Sequence, residues 1–179
     1  DGAGCLYCDT ALWAPSHNLM LGTSPTEFSP NITMTRGMLV TVLYRMNGSP
    51  SVSGKTPFTD VRTDEWYSAA VLWAYQNGIV TGMSDTTFAP INNVTREQMA
   101  TILFRYTKTA APDKAKASAD LSGFADAGSV NDWAVDAMRW AVGQKLIAGI
   151  TLEQSVYLQP RGNATRAQAA TVLTRYYAQ

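Results

Sequence analysis

The chain has one histidine and two cysteines among its 179 residues, and this scarcity limits the chemistry that it can perform. His17, Cys5 and Cys8 are too few side chains to complete a four-ligand zinc site. The Cys-Leu-Tyr-Cys spacing also fits a redox pair, but such a pair needs a βαβ context that the sequence does not predict. Two small side chains near a helix start are the favoured interpretation, and we expect neither a metal nor a cofactor.

An excess of charge of either sign is also lacking, because 14 Lys and Arg residues balance 14 Asp and Glu residues. Nucleic acids and anionic lipids usually require a basic patch, so neither is an expected partner. No apolar run approaches the roughly 20 residues that span a membrane, and the start has no signal-peptide pattern. We therefore expect a mature form or a fragment that does not insert into a membrane.

Recognisable catalytic motifs are missing as well. The sequence has no phosphate-binding glycine loop and no Ser/His/Asp arrangement in a supporting context. We therefore expect a protein that is not an enzyme. The chain does have 46% apolar residues, five Trp and eight Tyr, which suffice for a packed core.

A Thr-Arg step occurs three times and organises the chain. Each copy follows an apolar-x-Pro step, and a second arginine comes nine residues after the first. The copies are separated by 60 and 70 positions. They are Thr35-Arg36, Thr95-Arg96 and Thr165-Arg166, with second arginines Arg45, Arg105 and Arg175. Such periodicity is typical of a repeat protein, in which each repeat is one supersecondary unit.

The first half of the second copy predicts a helix. Apolar residues recur with helical spacing over about 65–77, beginning at Trp66, and Thr63 or Asp64 can cap its start. Gly78 follows where a left-handed C-terminal cap is favourable.

The second half of each copy predicts a second helix that begins at the Thr-Arg step. Thr95 caps a helix to about Thr107, and Gln98 completes a capping box. The third copy has the same box, whereas Met38 breaks it in the first copy. We expect copies at residues 1–47 (incomplete at its start), 58–107 and 124–177, separated by linkers 48–57 and 108–123.

The Thr-Arg step predicts an anion site at a helix start. Unpaired backbone N–H groups, the helix dipole and a planar guanidinium together suit a carboxylate or phosphate. Trp66 and Trp133 can stack on a sugar ring beside it. An alternative is an ion pair between each arginine and Asp60 or Asp126. The second arginines lie near helix C-termini, where they complement the dipole.

The succession Phe-x-Asp-Val, Trp, Ala, Gly-Ile-Val-x-Gly, Phe-x-Pro and Thr-Arg-Glu-Gln resembles the S-layer homology repeat. Residues 58–106 match it almost throughout, 124–176 match nearly as well, and 6–45 match from within the first helix onward. The resemblance implies a mainly α fold. Three helix–loop–helix repeats would form a pseudo-threefold, three-pronged unit with a central helical bundle.

The resemblance also implies a function. Such units are non-catalytic anchors in the cell wall or S-layer of bacteria, and each is covalently part of a larger extracellular surface protein. Their ligand is a secondary cell wall polysaccharide with pyruvylated N-acetylmannosamine, held in grooves between repeats. A protein–protein or self-assembly module of a surface layer is the alternative.

The resemblance assigns this ligand to three sets of residues. The arginine of each Thr-Arg step meets the pyruvyl carboxylate, and an aspartate and a glycine line each groove. These positions are Arg36, Arg96 and Arg166 with Thr35, Thr95 and Thr165, then Asp60 and Asp126, and Gly22, Gly82 and Gly149. The first copy has no aspartate, so we expect one or two good grooves, with the Arg36 copy the weakest.

Overall fold

The computed structural model describes residues 19–24 and 26–178. Cys5, Cys8 and His17, and the first helix expected in the first copy, lie outside the described residues.

The described chain is mainly α-helical, as expected. Its α-helices are α1 (Arg36–Met46), α2 (Ser68–Gln76), α3 (Arg96–Ala110), α4 (Val135–Gly143) and α5 (Arg166–Tyr177). Short 3-10 turns cover Pro112–Lys114, Ala127–Ser129 and Asp132–Ala134. One antiparallel hairpin joins β1 (Ile150–Leu152) to β2 (Ser155–Tyr157), with Ile150 opposite Tyr157. No helix among the described residues is long and apolar enough to cross a membrane.

The predicted caps of the three Thr-Arg helices are confirmed. The hydroxyl oxygens of Thr35, Thr95 and Thr165 each accept a hydrogen bond from the backbone N–H three residues later. Complete capping boxes form with Gln98 in α3 and with its counterpart in α5. The side chain of Met38 cannot complete a box in α1, because a thioether is a weak acceptor.

The predicted start of α2 is wrong by three residues. The helix begins at Ser68 rather than at residue 65, and neither Thr63 nor Asp64 caps it. The Asp64 carboxylate pairs instead with Arg62, with an N–O distance of 2.7 Å. Gly78 does adopt the predicted left-handed conformation, with φ of +68°.

In the second and third copies, the first helix packs against the second helix of the preceding copy. Trp73 of α2 lies between Tyr44 of α1 and Tyr106 of α3, with ring centroids 5.7 and 6.1 Å apart. Trp140 of α4 lies likewise between Phe104 of α3 and Tyr176 of α5, at 5.4 and 6.4 Å. These aromatic contacts belong to one continuous hydrophobic core, so the copies do not fold around separate cores.

Three backbone hydrogen bonds close a cycle through the copies. Met34 N–H donates to Ala164 C=O, Val94 N–H to Met34 C=O, and Ala164 N–H to Val94 C=O, all at 2.8–2.9 Å. The residues stand just before the Thr-Arg steps, so the starts of α1, α3 and α5 are held together. The first copy therefore contacts the third directly, although the chain joins it only to the second.

Candidate ligand-binding grooves

A left-handed turn before each proline shapes the loops beside the helix starts. Ala89 and Gln159 have φ of +58° and +50°, a region that costs about 1–2 kcal/mol for a residue with a side chain. The two Asp60 carboxylate oxygens accept the N–H groups of Phe88 and Ala89, at 2.9 and 2.6 Å. Asp126 accepts those before Pro160 in the same way, at 2.7 Å each. The structure thus places both aspartates in the support of these turns.

The Thr-Arg arginines are buried and reach into the next copy. Their Nε atoms donate to backbone carbonyl oxygens: Arg36 to Phe88 at 2.9 Å, Arg96 to Leu158 at 2.7 Å, and Arg166 to Phe28 at 3.0 Å. Among the described residues, the ion pair that the structure has is Arg62–Asp64, so Asp60 and Asp126 do not pair with these arginines. The carboxylate and the guanidinium instead bind the same turn, since Asp60 accepts the N–H groups of Phe88 and Ala89 and Arg36 donates to the Phe88 carbonyl oxygen.

The helix-start amides are occupied, which corrects one part of the anion-site prediction. In α1, Arg36 N–H donates to Asn92 C=O and Gly37 N–H to Pro90 C=O, at 2.9 and 2.8 Å. The next amide, of Met38, donates to Thr35 Oγ1. The corresponding amides of α3 and α5 have equivalent partners. An anion would therefore have to bind through the guanidinium groups, because the backbone N–H groups at the helix starts already donate to acceptors within the protein.

Two surface grooves of similar size have equivalent linings. The Arg36 groove has a volume of about 350 Å³ and the Arg166 groove one of about 370 Å³. In each, the buried arginine comes from one copy, the floor from a second and a tryptophan from a third. Residues of the Arg36 groove include Arg36, Gly82, Met83, Gln98, Thr101, Arg105 and Trp133. Those of the Arg166 groove include Arg166, Leu21, Gly22, Met38, Thr41, Arg45 and Trp66.

Each groove also holds a second arginine, for which the sequence predicted only a role near the helix C-terminus. Arg105 lines the groove of Arg36, and Arg45 lines the groove of Arg166. Arg105 Nη1 donates to Thr81 Oγ1 at 3.2 Å, and Arg45 Nη1 to Leu19 C=O at 3.4 Å. Nine residues correspond to two and a half helical turns, so the two arginines of one helix enter different grooves.

Burial governs the electrostatics of these arginines. It lowers the pKa of Arg36 to about 10, an effect that the charge of Asp60 opposes and that of Arg105 increases. Burial also lowers the pKa values of Arg96, Arg166 and Arg45. All remain cationic at neutral pH, and two partly desolvated cations in one groove favour an anion there.

Large apolar side chains are exposed along the same grooves. Trp133 and Met83 are 54% and 55% exposed beside Arg36, and Trp66 is 57% exposed beside Arg166. Both tryptophans precede their α-helices, whereas Trp73 and Trp140 lie in the core. An exposed indole next to a cation suits a ligand with one anionic group and one apolar face.

Gly82 lies in the floor of the Arg36 groove and cannot be replaced without strain. Its φ is +82°, and a Cβ atom there would come within 2.5 Å of Phe58 Cε1 and of Ser84 O. A Cβ atom at Gly22, in the Arg166 groove, would likewise lie 2.5 Å from Ser24 O and 2.6 Å from Glu27 O. These glycines let the loop backbone turn sharply under the grooves.

The residues around Arg96 share some of these contacts and differ in the loop that follows Gly149. Arg96 donates from Nη2 to Ala148 C=O, at 2.9 Å, as Arg166 does to Leu21 C=O, at 2.6 Å. Arg175 Nη1 donates to the Lys145 and Leu146 carbonyl oxygens. Gly149 is followed by the β1–β2 hairpin, which occupies the longer loop of the third copy. A Cβ atom at Gly149 would collide with the side chains of Phe124 and Val156.

The family model described as the S-layer homology domain matches residues 57–100 and 123–170, just over half of the chain. An endoglucanase from Bacillus sp. strain KSM-635 is 34% identical over 87% of this chain and 16% of its own length. The surface-layer 125 kDa protein of Lysinibacillus sphaericus is 32% identical over 86% of this chain and 12% of its own length. The exoglucanase XynX of Acetivibrio thermocellus is 28% identical over 88% of this chain.

The chain spans less than a fifth of the length of these relatives. Among solved structures, an undecaheme cytochrome from the S-layer of Carboxydothermus ferrireducens covers 92% of this chain, with 20% identity and a TM-score of 0.43. That likeness is too distant to carry an argument.

Proposed function

Because the chain belongs to the S-layer homology domain family, we propose that it is the non-catalytic anchor that holds a larger protein to a pyruvylated secondary cell wall polysaccharide. The family and the surface-layer relatives place it outside the cell, at the bacterial cell wall or S-layer. The enzymes among its relatives are matched over a small share of their length, which supports an anchoring rather than a catalytic role.

The observation that carries the ligand proposal is the pairing of two arginines with an exposed tryptophan in one groove. Arg36 and Arg105 face the Arg36 groove without a carboxylate partner among the described residues. A pyruvyl ketal on a sugar presents a carboxylate and a methyl group, and the sugar ring presents an apolar face. The guanidinium groups would bind the carboxylate, while Trp133 and Met83 would contact the apolar parts.

We propose the same role for the Arg166 groove, with Arg45 and Trp66 in the corresponding places. Asp60 would serve the Arg36 groove indirectly, by holding the turn whose Phe88 carbonyl oxygen positions Arg36. Asp126 would serve the Arg96 groove in the same way, through the Leu158 carbonyl oxygen. Thr35, Thr95 and Thr165 would act through the helix caps, and Gly22, Gly82 and Gly149 through the loop backbone. Arg96 would line the third groove.

The proposed architecture is a three-repeat, pseudo-threefold, three-pronged unit with α1, α3 and α5 in its central bundle. The closed cycle of hydrogen bonds through Met34, Val94 and Ala164 supports it, because each copy donates and accepts once. The first copy lies outside the two segments that the family model matches, and its Thr-Arg helix still enters the cycle equivalently.

The test is binding to purified cell-wall polysaccharide with and without its pyruvyl groups, which mild acid removes. The anchor should bind the intact polymer and lose most of its affinity for the depyruvylated one. A double variant, R36A with R166A, should lose binding to the intact polymer. Undiminished binding to walls stripped of polysaccharide would instead support the protein–protein module.

A further inference from the structure

We infer that Met83 is a site of oxidative modification, and that oxidation of its thioether by hydrogen peroxide weakens ligand binding in the Arg36 groove. The modification itself depends only on where the sulfur lies. Its effect on binding rests on the proposed function and concerns how that groove is regulated.

Met83 differs from the other methionines in its exposure. It is 55% exposed in the floor of the Arg36 groove. Four of the seven methionines are enclosed in the core, each with 1% or less of its surface exposed: Met20, Met34, Met99 and Met138. The remaining two, Met38 and Met46, are partly buried and pack against that core. An oxidant in solution therefore reaches the Met83 sulfur first.

The reaction transfers one oxygen atom to this sulfur. The sulfur lone pair attacks one peroxide oxygen, the O–O bond breaks, and the proton of the transferred oxygen passes to the departing hydroxide, which leaves as water. The sulfur is oxidised by two electrons and the peroxide is reduced by two, so no further reactant is needed. The product is a polar, chiral sulfoxide, which methionine sulfoxide reductases convert back to the thioether. Because the chain lies outside the cell, peroxide in the surroundings reaches it without crossing a membrane.

The Met83 sulfur already accepts a hydrogen bond at the edge of the groove. Gln98 Nε2 donates to Met83 Sδ at 3.8 Å, and Gln98 Oε1 accepts the Thr95 N–H at 3.2 Å. The Gln98 amide is therefore fixed between the helix cap and the thioether. A thioether sulfur is a weak acceptor and a sulfoxide oxygen a strong one, so oxidation strengthens this contact and leaves the cap in place.

The added oxygen changes what the groove offers to a ligand. Met83, Gln98 and Arg105 line the same groove. The sulfoxide oxygen competes with the anionic group of a ligand for the N–H donors of Gln98 and Arg105. It also makes polar a surface that was apolar where the ligand presents its own apolar face. Both changes weaken binding.

This oxidation site is present in one copy of the three. The residue after the groove-floor glycine is Met83 in the second copy, Thr23 in the first and Ile150 in the third. Thr23 lines the Arg166 groove and has no sulfur to oxidise. Ile150 keeps an apolar side chain that is inert to peroxide, so M83I is the matched control variant.

Peroxide treatment followed by peptide mass spectrometry tests the modification site. In the folded chain, Met83 should gain one oxygen atom roughly tenfold faster than the four enclosed methionines. Unfolding in urea removes the difference in exposure, so all seven methionines should then react at similar rates. Oxidation that begins at Met38 or Met46, or that is spread evenly over the folded chain, would overturn the assignment.

Isothermal titration with the methyl glycoside of 4,6-O-pyruvyl-N-acetylmannosamine tests the effect on binding, at the peroxide dose that oxidises Met83 alone. The affinity of the wild-type chain should fall about three- to tenfold, the loss expected when one hydrogen bond to the ligand is displaced, and reductases for both sulfoxide epimers should restore it. The same dose should change the affinity of M83I by less than about 1.5-fold, whatever its starting value. M83Q, which places an amide oxygen near the position of the sulfoxide oxygen, should bind more weakly than M83I before any oxidation.

The outcomes separate the modification from its effect on binding. Unchanged affinity after complete oxidation of Met83, an equal loss in M83I, or equal affinities of untreated M83Q and M83I would overturn the effect on binding. If untreated wild-type protein bound the pyruvylated glycoside no better than the unmodified one, the proposed function would fail. The mass spectra would still decide whether Met83 is the modification site.

Discussion

The charged guanidinium of Arg36 is buried, and its desolvation sets an upper pH limit for the binding of an anion in the groove. Burial lowers its pKa to about 10, so the guanidinium begins to lose its proton well below the usual pH for arginine. A bound carboxylate favours the protonated form and raises that pKa again. Ligand affinity and proton binding at Arg36 are therefore coupled.

The pH dependence follows from this coupling. Affinity for the pyruvylated glycoside should be constant from pH 7 to about pH 9.5, and then fall by up to about tenfold per pH unit above 10. The fall comes from deprotonation of free Arg36, since the ligand carboxylate stays ionised throughout. Fluorescence titrations of Trp133 across this range would measure it. R36A should show no such inflection, and a decline below pH 9 in wild-type protein would point to another group.

Two glycines in left-handed conformations allow the crowding at the groove floor to be tested. G78A should cost about 1–2 kcal/mol of unfolding free energy, since φ is +68° and nothing lies near the new Cβ. G82A adds a clash with Phe58 Cε1 and Ser84 O and should cost about 1–3 kcal/mol more. Urea unfolding of both variants checks the difference, and equal losses would show that the loop relaxes around the methyl group.

The sequence predicts the helix caps beside the grooves better than the pairing of the arginines within them. The Thr caps depend on atoms within one helical turn, so Thr95 and Gln98 could be interpreted from local spacing. The partnership of Arg36 with Arg105 joins different copies and could not be read from either helix alone. The Asp60 carboxylate binds backbone N–H groups that are 28 and 29 positions away in the sequence, so local spacing could not predict this contact.

At the scale of elements, the aspartate-supported turn links one copy to the arginine of another. Asp60 binds the N–H groups on one side of the turn, and Arg36 binds the Phe88 carbonyl oxygen. The element has no regular secondary structure, yet it determines where the buried guanidinium points. Its conformation includes a left-handed alanine, so it depends on this external support.

Removing the charge of this aspartate should therefore loosen the turn. D60N keeps the side-chain shape but turns an NH₂ group toward a backbone N–H, and we expect a loss of about 1.5–3 kcal/mol in unfolding free energy. D136N, in the first turn of α4, is the control and should change stability by less than about 0.5 kcal/mol. Guanidinium denaturation measures both. An unchanged midpoint for D60N would exclude this structural role and favour direct ligand contact.

The predicted helix starts are correct where a side-chain cap forms and wrong at α2, where no side-chain cap forms. The starts of α3 and α5 coincide with their capping boxes. The helix α2 begins at Ser68, and Asp64 pairs with Arg62 instead of capping the helix. The β1–β2 hairpin forms in the longer loop of the third copy, where no strand was predicted.

At the scale of the whole molecule, the copies depend on one another. The amides at the start of α3 donate to carbonyl oxygens of Gly162 and Pro160 in the third copy, and Met34 donates to Ala164. No pair of copies satisfies these groups alone. Unfolding should consequently be a single cooperative transition, with equal calorimetric and van't Hoff enthalpies.

Truncation tests this interdependence. A chain that ends at Ala110 lacks the partners of Met34 and Arg96, and we expect it to show no cooperative melting by calorimetry. The matched control keeps every residue but cuts the backbone at an engineered protease site after the exposed Lys116. Its two pieces should elute together from a sizing column and melt cooperatively. Cooperative melting of the truncated chain would instead show that the first two copies form an independent unit.

The closed cycle of hydrogen bonds also has a mechanical consequence. Met34 and Ala164 are far apart in the sequence, yet they are bonded directly, and Arg166 bonds Phe28 and Leu21. Tension applied between the first and third copies therefore loads these contacts in parallel, and the linkers that join the copies along the chain stay slack. The contacts must rupture together rather than one after another, so the fold resists a steady pull along its chain.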